Sequence, residues 1–266
     1  MSNAIFAGDL LVQKQVHHIP ALRLSNGQVL RDVRLGYETY GHLNAEKNNA
    51  ILITHYFSGN SHAAGKYHAD DIAPGYWDSI IGEGKAIDTR KYYVISMDTL
   101  VNLSAYDENV ITTGPASVNL ATKKIYGMSF PIVTVQDFVS TQKSLIDTLG
   151  IEKLHAIAGA SGGAIQAMQW AADYPHVADK VIAVIGPGLF LPAYSVAELG
   201  TWAQPILQDP QWENGNYQHS AKSLPGLAFA LRNVSLSAVS FEWMNSQFGR
   251  KYTLSGQNPA HALSHE

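Results

Sequence analysis

The segment Gly159-Ala160-Ser161-Gly162-Gly163 carries the residue types best suited to chemistry in this chain. A serine with glycines two positions to either side can sit on a turn too sharp for bulky neighbours, which lifts its hydroxyl clear of the backbone. The flanking pattern predicts a strand over 154–158 and a helix over 164–174 stopped at Pro175, so the serine falls at a strand-to-helix turn. The start of such a helix offers unpaired N–H groups that favour developing negative charge. These features specify Ser161 as a nucleophile and acyl transfer as its chemistry. The competing reading is a glycine-rich turn carrying a solvated serine.

A serine nucleophile needs a base within hydrogen-bond reach, and the base needs an orienting carboxylate. On the strand–Ser–helix plan both follow the serine on later strands. After Ile185 the sequence predicts no strand ending in Asp and no later strand followed by His. The downstream histidines are His176 at a helix end, His219 in the polar loop 213–222, and His261 and His265 in the tail 258–266. None stands on a predicted element that would hold it. Upstream, His55, His62 and His68 precede Asp70 and Asp71, and imidazole and carboxylate are metal ligands. Their spacing matches no compact ligand pattern, so they read as loop and structural residues and no metal site is expected.

The elements that must position Ser161 follow from the hydrophobic pattern. Segments 21–24 and 33–40 read as a hairpin turned at Asn26-Gly27, and the apolar runs Ala50–Thr54 and 92–97 read as strands covered on both faces. Residues 98–130 are loop-like. A helix is predicted from Asp137 as N-cap, with Phe138, Val139, Leu145, Ile146 and Leu149 as its apolar stripe and Gly150 as its terminator. The order β-α-β-α-β from 154 to 185 predicts parallel strands with right-handed crossovers. From Pro187 to Arg250 the pattern is mostly helical. The expected fold is therefore α/β, of α/β-hydrolase type: residues 1–186 form a mostly parallel sheet core and 187–266 a helical lid region with a tail.

Composition narrows the function classes. A net charge of −4 without a basic run lacks the footprint of a nucleic-acid binder. The chain has no cysteine, which excludes disulfides, thiolate metal sites and a cysteine nucleophile. No apolar run reaches the roughly 18 residues of a membrane span, and residues 1–11 lack a positive segment followed by an apolar stretch. A cytoplasmic protein is expected, with the sequons at Asn102 and Asn233 arising by chance.

A series of segments then carries a family likeness. They are Gly36-Tyr37-Glu38-Thr39-Tyr40-Gly41, Trp77-Asp78, Gly84-Lys85-Ala86-Ile87-Asp88-Thr89, Thr113-Gly114-Pro115-Ala116-Ser117 and Phe130-Pro131 with Asp137. The serine turn follows, then Asp209-Pro210-Gln211-Trp212 with Gly215 and Tyr217, and Phe248-Gly249-Arg250. In this order the chain resembles the homoserine O-acetyltransferase family over nearly its whole length. The resemblance implies an enzyme in which a serine takes an acetyl group from acetyl-CoA and passes it to the hydroxyl of homoserine or a similar small alcohol. Acetyl-CoA enters as co-substrate, and no separate cofactor is implied. Ser161 matches the nucleophile, and the backbone N–H groups of Gly162 and Phe57 match the oxyanion hole. A homodimer through the lid region is implied as well.

Three departures stand out. Gly162 replaces a methionine usual in the family, and Ala203 falls where an arginine should grip the substrate carboxylate. The chain also stops before the strands that carry the family's catalytic Asp and His. The expectation is a chain lacking the last strands, either a fragment or a shortened, non-catalytic homologue. A serine esterase, with water as acceptor, is the enzymatic alternative.

Overall fold

Ala50–Thr54 is buried at every position, the burial expected of a parallel strand with both faces covered. It lies inside a six-stranded sheet in the computed structural model, which describes residues 10–187, 193–215 and 224–249. The strands are β1 (Gln15–Arg23), β2 (Val29–Tyr40), β3 (Ala50–Thr54), β4 (Tyr93–Met97), β5 (Ala156–Ala160) and β6 (Val181–Val184). Their order across the sheet is β1-β2-β4-β3-β5-β6. β3 pairs in parallel with β4 and β5, and β5 with β6, whereas β2 runs antiparallel to both β1 and β4.

The period-2 alternation of strands divides the core into two layers. Leu52, Ile95 and Ile157 point to one face, where Val139, Leu145 and Ile146 of helix α1 (Val135–Thr148) and Trp170 of helix α2 (Gly162–Asp173) meet them. Ile51, Ile53, Val94 and Ala158 point to the other, against Ala63, Ala64 and Ile81. At β6 the covering thins. Val181, Ile182 and Val184 stand 39 to 49% exposed, and among the described residues β6 pairs only with β5.

Several boundaries differ from the sequence pattern. β1 begins at Gln15 rather than at 21, because His17 is an inward-facing strand residue whose ring meets Ser144 Oγ at 2.9 Å. Asp137 is not the N-cap of α1. Thr134 caps it, and the Asp137 carboxylate reaches back to the Thr134 N–H at 2.7 Å while also taking the Ser25 N–H at 2.6 Å. Gly150 does end α1, at φ +68°, with its N–H on Asp147 O and that of Ile151 on Ile146 O. β5 starts at Ala156, two residues after the pattern suggested, since Leu154 makes only an isolated bridge to Ala178. The stretch 98–130 is largely irregular but contains the small ladder Val118–Asn119 with Lys124–Ile125.

The chain divides into two compact units, Met1–Leu189 and Phe190–Glu266. The sheet belongs to the first. The second is helical: α3 (Ala193–Leu207), a 3₁₀ turn (Pro210–Gly215), α4 (Pro225–Ala238) and α5 (Phe241–Phe248). Within it the Asp209 carboxylate accepts the N–H groups of Gly226 at 2.7 Å and Gln211 at 2.9 Å, tying the turn to the start of α4.

One buried ionic cluster organises the loops at the β2 and β4 end of the sheet. The Glu38 carboxylate is fully enclosed and faces Lys14 Nζ at 2.8 Å. It also accepts from Tyr40 OH at 2.7 Å, Tyr67 OH at 2.6 Å and His62 Nδ1 at 3.0 Å. Nearby, Asp98 accepts the Ser61 N–H at 2.7 Å and the Ile111 N–H at 3.0 Å, with Lys14 at 3.8 Å. Any Cβ at Gly36 would collide with the Asp98 carboxylate. Burial alone would raise the Glu38 carboxyl. The His62 hydrogen bond, the charge and hydrogen bond of Lys14 and the Tyr67 hydrogen bond outweigh it and hold the group below its usual value. Asp98 is pushed up by burial.

These shifts have opposite consequences for stability. A depressed Glu38 stabilises the fold above the unfolded carboxyl value of about 4.3 and loses that contribution as pH falls through its folded value. A raised Asp98 favours folding most when protonated, at low pH. Glu38→Gln is therefore expected to lower stability by about 3–5 kcal/mol at neutral pH, since it leaves Lys14 poorly compensated. The gap from wild type should narrow below about pH 4. Urea denaturation of both proteins across this pH range checks it, and a gap independent of pH would contradict the assignment.

Candidate active site

Ser161 is the single residue between β5 and α2, with φ 55° and ψ −119°. Non-glycine residues rarely adopt positive φ, and such strain costs of order 1–3 kcal/mol. The surroundings enforce it. The Ser161 N–H donates to Val184 O on β6 at 3.0 Å, and its carbonyl accepts the Ala164 N–H at 2.9 Å. Thr54, at the end of β3, donates from Oγ1 to Gly163 O at 2.8 Å. A Cβ on Gly159 would collide with Thr54 Oγ1 and the Gly163 carbonyl, and one on Gly163 with the Thr54 carbonyl. The two glycines thus permit a close approach of β3, β5 and α2 in addition to the sharp turn. The serine itself is exposed, and its hydroxyl forms no hydrogen bond among the described residues.

The loop after β3, His55-Tyr56-Phe57-Ser58-Gly59, closes on a turn with the Gly59 N–H on Tyr56 O at 2.9 Å. It brings Phe57 against Gly162. A Cβ built on Gly162 would lie 3.0 Å from Phe57 N and 3.4 Å from its Cα. Neither the Phe57 nor the Gly162 N–H has a partner among the described residues. Two free donors therefore stand on adjoining backbones beside the serine, at the N-terminus of a twelve-residue helix.

A buried chain of side chains holds that loop in place. His55 O accepts from Gln166 Nε2 at 3.0 Å, Gln166 Oε1 from Gln142 Nε2 at 2.7 Å, and Gln142 Oε1 from Trp170 Nε1 at 2.7 Å. The His55 ring donates from Nδ1 to Tyr56 O at 2.7 Å, and burial pushes its pKa down, so it is neutral. Asn102 Nδ2 donates to Gly59 O at 3.0 Å. Sequence reasoning missed these supports. Their signal is the placement of Gln142 inside the apolar stripe of α1, where a polar residue needs a partner.

The other sequence candidates are dispersed. His176 is exposed beyond α2, while His219, His261 and His265 lie outside the described residues. His62 belongs to the Glu38 cluster, and His68 is exposed. Asp71 forms a turn, accepting the Tyr67 and His68 N–H groups at 2.9 Å each. Asn102 is buried, and Ala203 lies exposed on α3.

A mostly parallel sheet in this strand order, with a strained serine at the β5–α2 turn, defines an α/β-hydrolase-fold protein. Comparison with solved structures shows 48% identity to esterase E22, with a TM-score of 0.87 over 95% of this chain and 69% of that one. The homoserine O-acetyltransferase from Bacillus anthracis is 38% identical, with a TM-score of 0.88 over 96% of this chain and 69% of that one. Among curated relatives, the homoserine O-acetyltransferase of Methanohalobium evestigatum is 42% identical over 242 residues, 90% of this chain and 48% of the relative. No family model matches the chain. The chain belongs to the homoserine O-acetyltransferase family. It spans about half to two thirds of the length of the curated relatives it matches.

The glutamine chain yields a stability test. Gln142→Leu strands both Trp170 Nε1 and the Gln166 amide oxygen, at roughly 1–3 kcal/mol for each buried group left unpaired. A urea midpoint that drops accordingly is expected, and an unchanged midpoint would show that the chain does not hold the loop.

Proposed function

We propose that Ser161 is the nucleophile of an O-acyltransferase that moves an acetyl group from acetyl-CoA to the hydroxyl of homoserine or a similar small alcohol. The observation that carries this reading is the strained serine facing two free backbone N–H groups. Ser161 Oγ attacks the thioester carbonyl, and the charge that develops on oxygen is received by Phe57 N–H and Gly162 N–H. One such donor is typically worth about 10²–10³ in rate. The C–S bond breaks and the thiol leaves with the serine's proton. The acceptor hydroxyl oxygen then bonds to the acyl carbon as the Ser161 Oγ–acyl bond breaks, and the acceptor's proton returns to Ser161 Oγ. The reading includes a cytoplasmic setting and a second copy of the chain as partner. Among the described residues no helix is long and apolar enough to cross a membrane.

A serine esterase is the second reading, with water as acceptor. It is favoured by the 48% identity to esterase E22 and by Ala203, which offers no charge to a substrate carboxylate.

Thiol release from acetyl-CoA, measured with and without homoserine, separates the two. Release is expected to rise with homoserine and to be lost in Ser161→Ala, since the acyl group passes through that hydroxyl. Release that ignores homoserine while acetate accumulates would establish the esterase. No release and no acetyl adduct on Ser161 would leave a non-catalytic homologue.

A further inference from the structure

The loop that supplies Phe57 also walls a cavity of about 270 Å³. Leu100, Val101, Leu103, Val135, Phe138 and Ile165 form its apolar sides, and Phe57 and Gly162 stand in the same wall. Phe57 and Gly162, the residues that carry the two free N–H groups, thus border the cavity, and Gly162 directly follows Ser161 in the chain. Two of the polar side chains in the wall are already engaged, while His55 Nε2 is buried without a partner among the described residues. Gln166 is bonded to His55 O and Gln142, and Asn102 to Gly59 O and the Ser104 N–H. The surface facing the interior is mostly carbon.

Two features keep this space open and defined. At 162 there is no side chain, and a Cβ there would stand 3.6 Å from Phe57 Cβ, in the wall itself. On the far side Val101 is held at φ 51°, a conformation unusual for a β-branched residue. Its N–H is bound to Thr113 O at 3.1 Å, and Gly114 packs on its Cα. Apolar cavities exclude water and take apolar ligands, and about 150 Å³ suffices for a benzene-sized guest.

We propose that this cavity is the acyl pocket of Ser161, and that the chain accepts apolar acyl groups of roughly four to eight carbons as well as acetyl. The inference rests on the reading of Ser161 as an acyl-accepting nucleophile. Ser161 Oγ bonds to the acyl carbon as the donor's C–O or C–S bond breaks, and the hydroxyl proton ends on the released alcohol or thiol. The carbonyl oxygen meets Phe57 N–H and Gly162 N–H while the chain enters the space between Leu100 and Ile165.

The test compares p-nitrophenyl acetate, hexanoate and octanoate on the full chain, with intact-mass detection of the acyl adduct on Ser161. Hexanoate is expected to match or exceed acetate in kcat/KM. Ile165→Trp, which fills the pocket, should lower the hexanoate-to-acetate ratio tenfold or more, the order of effect that steric discrimination in an apolar pocket gives. Ile165→Ala, which enlarges it, should move the optimum toward octanoate. Turnover of acetate alone, or a chain-length profile unchanged in both variants, overturns the pocket and leaves the nucleophile standing. No adduct from any ester overturns both.

Discussion

Thr54 closes β3 with its hydroxyl on the Gly163 carbonyl at 2.8 Å, and its own carbonyl leaves no room for a side chain at Gly163. This contact between one strand end and one helix start sets the distance between the serine and the loop that faces it. Three residues after Thr54 the chain lays the Phe57 backbone against Gly162. Close packing of backbones replaces a flexible arrangement by a preorganised one, and donors fixed in advance stabilise charge without reorganising when it appears.

Two polar assemblies hold the β3 loop and the segment 60–67 beyond it. The Trp170-Gln142-Gln166 chain reaches the His55 carbonyl from the helix side, and the Glu38 cluster fastens Ser61, His62 and Tyr67 from the sheet side. Both are buried, and both connect elements distant in sequence. Buried networks of this kind specify a single arrangement when every member is satisfied. They explain why the chain commits charged and amide groups to its interior at all.

The sequence made some of this plain and hid the rest for physical reasons. Ala50–Thr54 and the turn at Ser161 were readable because burial on both faces and flanking glycines leave direct marks in residue type. The start of β1 was not, because His17 and His18 break the apolar alternation although His17 faces inward. Asp137 looked like a cap because its carboxylate does serve the helix start, only from the third helical position. The segments that carry the family likeness proved to be framework anchors. Asp78 receives the Gly65 N–H and Lys85, Asp88 pairs with Arg90, and Thr113 takes the Arg34 N–H. Gly65 lies 13 residues from Asp78 and Arg34 lies 79 from Thr113, separations that spacing alone cannot reveal.

The Ser161 N–H donates to Val184, and β6 is an edge strand among the described residues. Edge strands fray before inner ones, because fewer hydrogen bonds and contacts must be released together. The strained turn is thus anchored on one side to the buried interior at Thr54 and on the other to an edge of the sheet. Its amide protection against exchange would track the opening of that margin rather than global unfolding. Whatever lies along the free side of β6 would lengthen the lifetime of the poised serine without touching it.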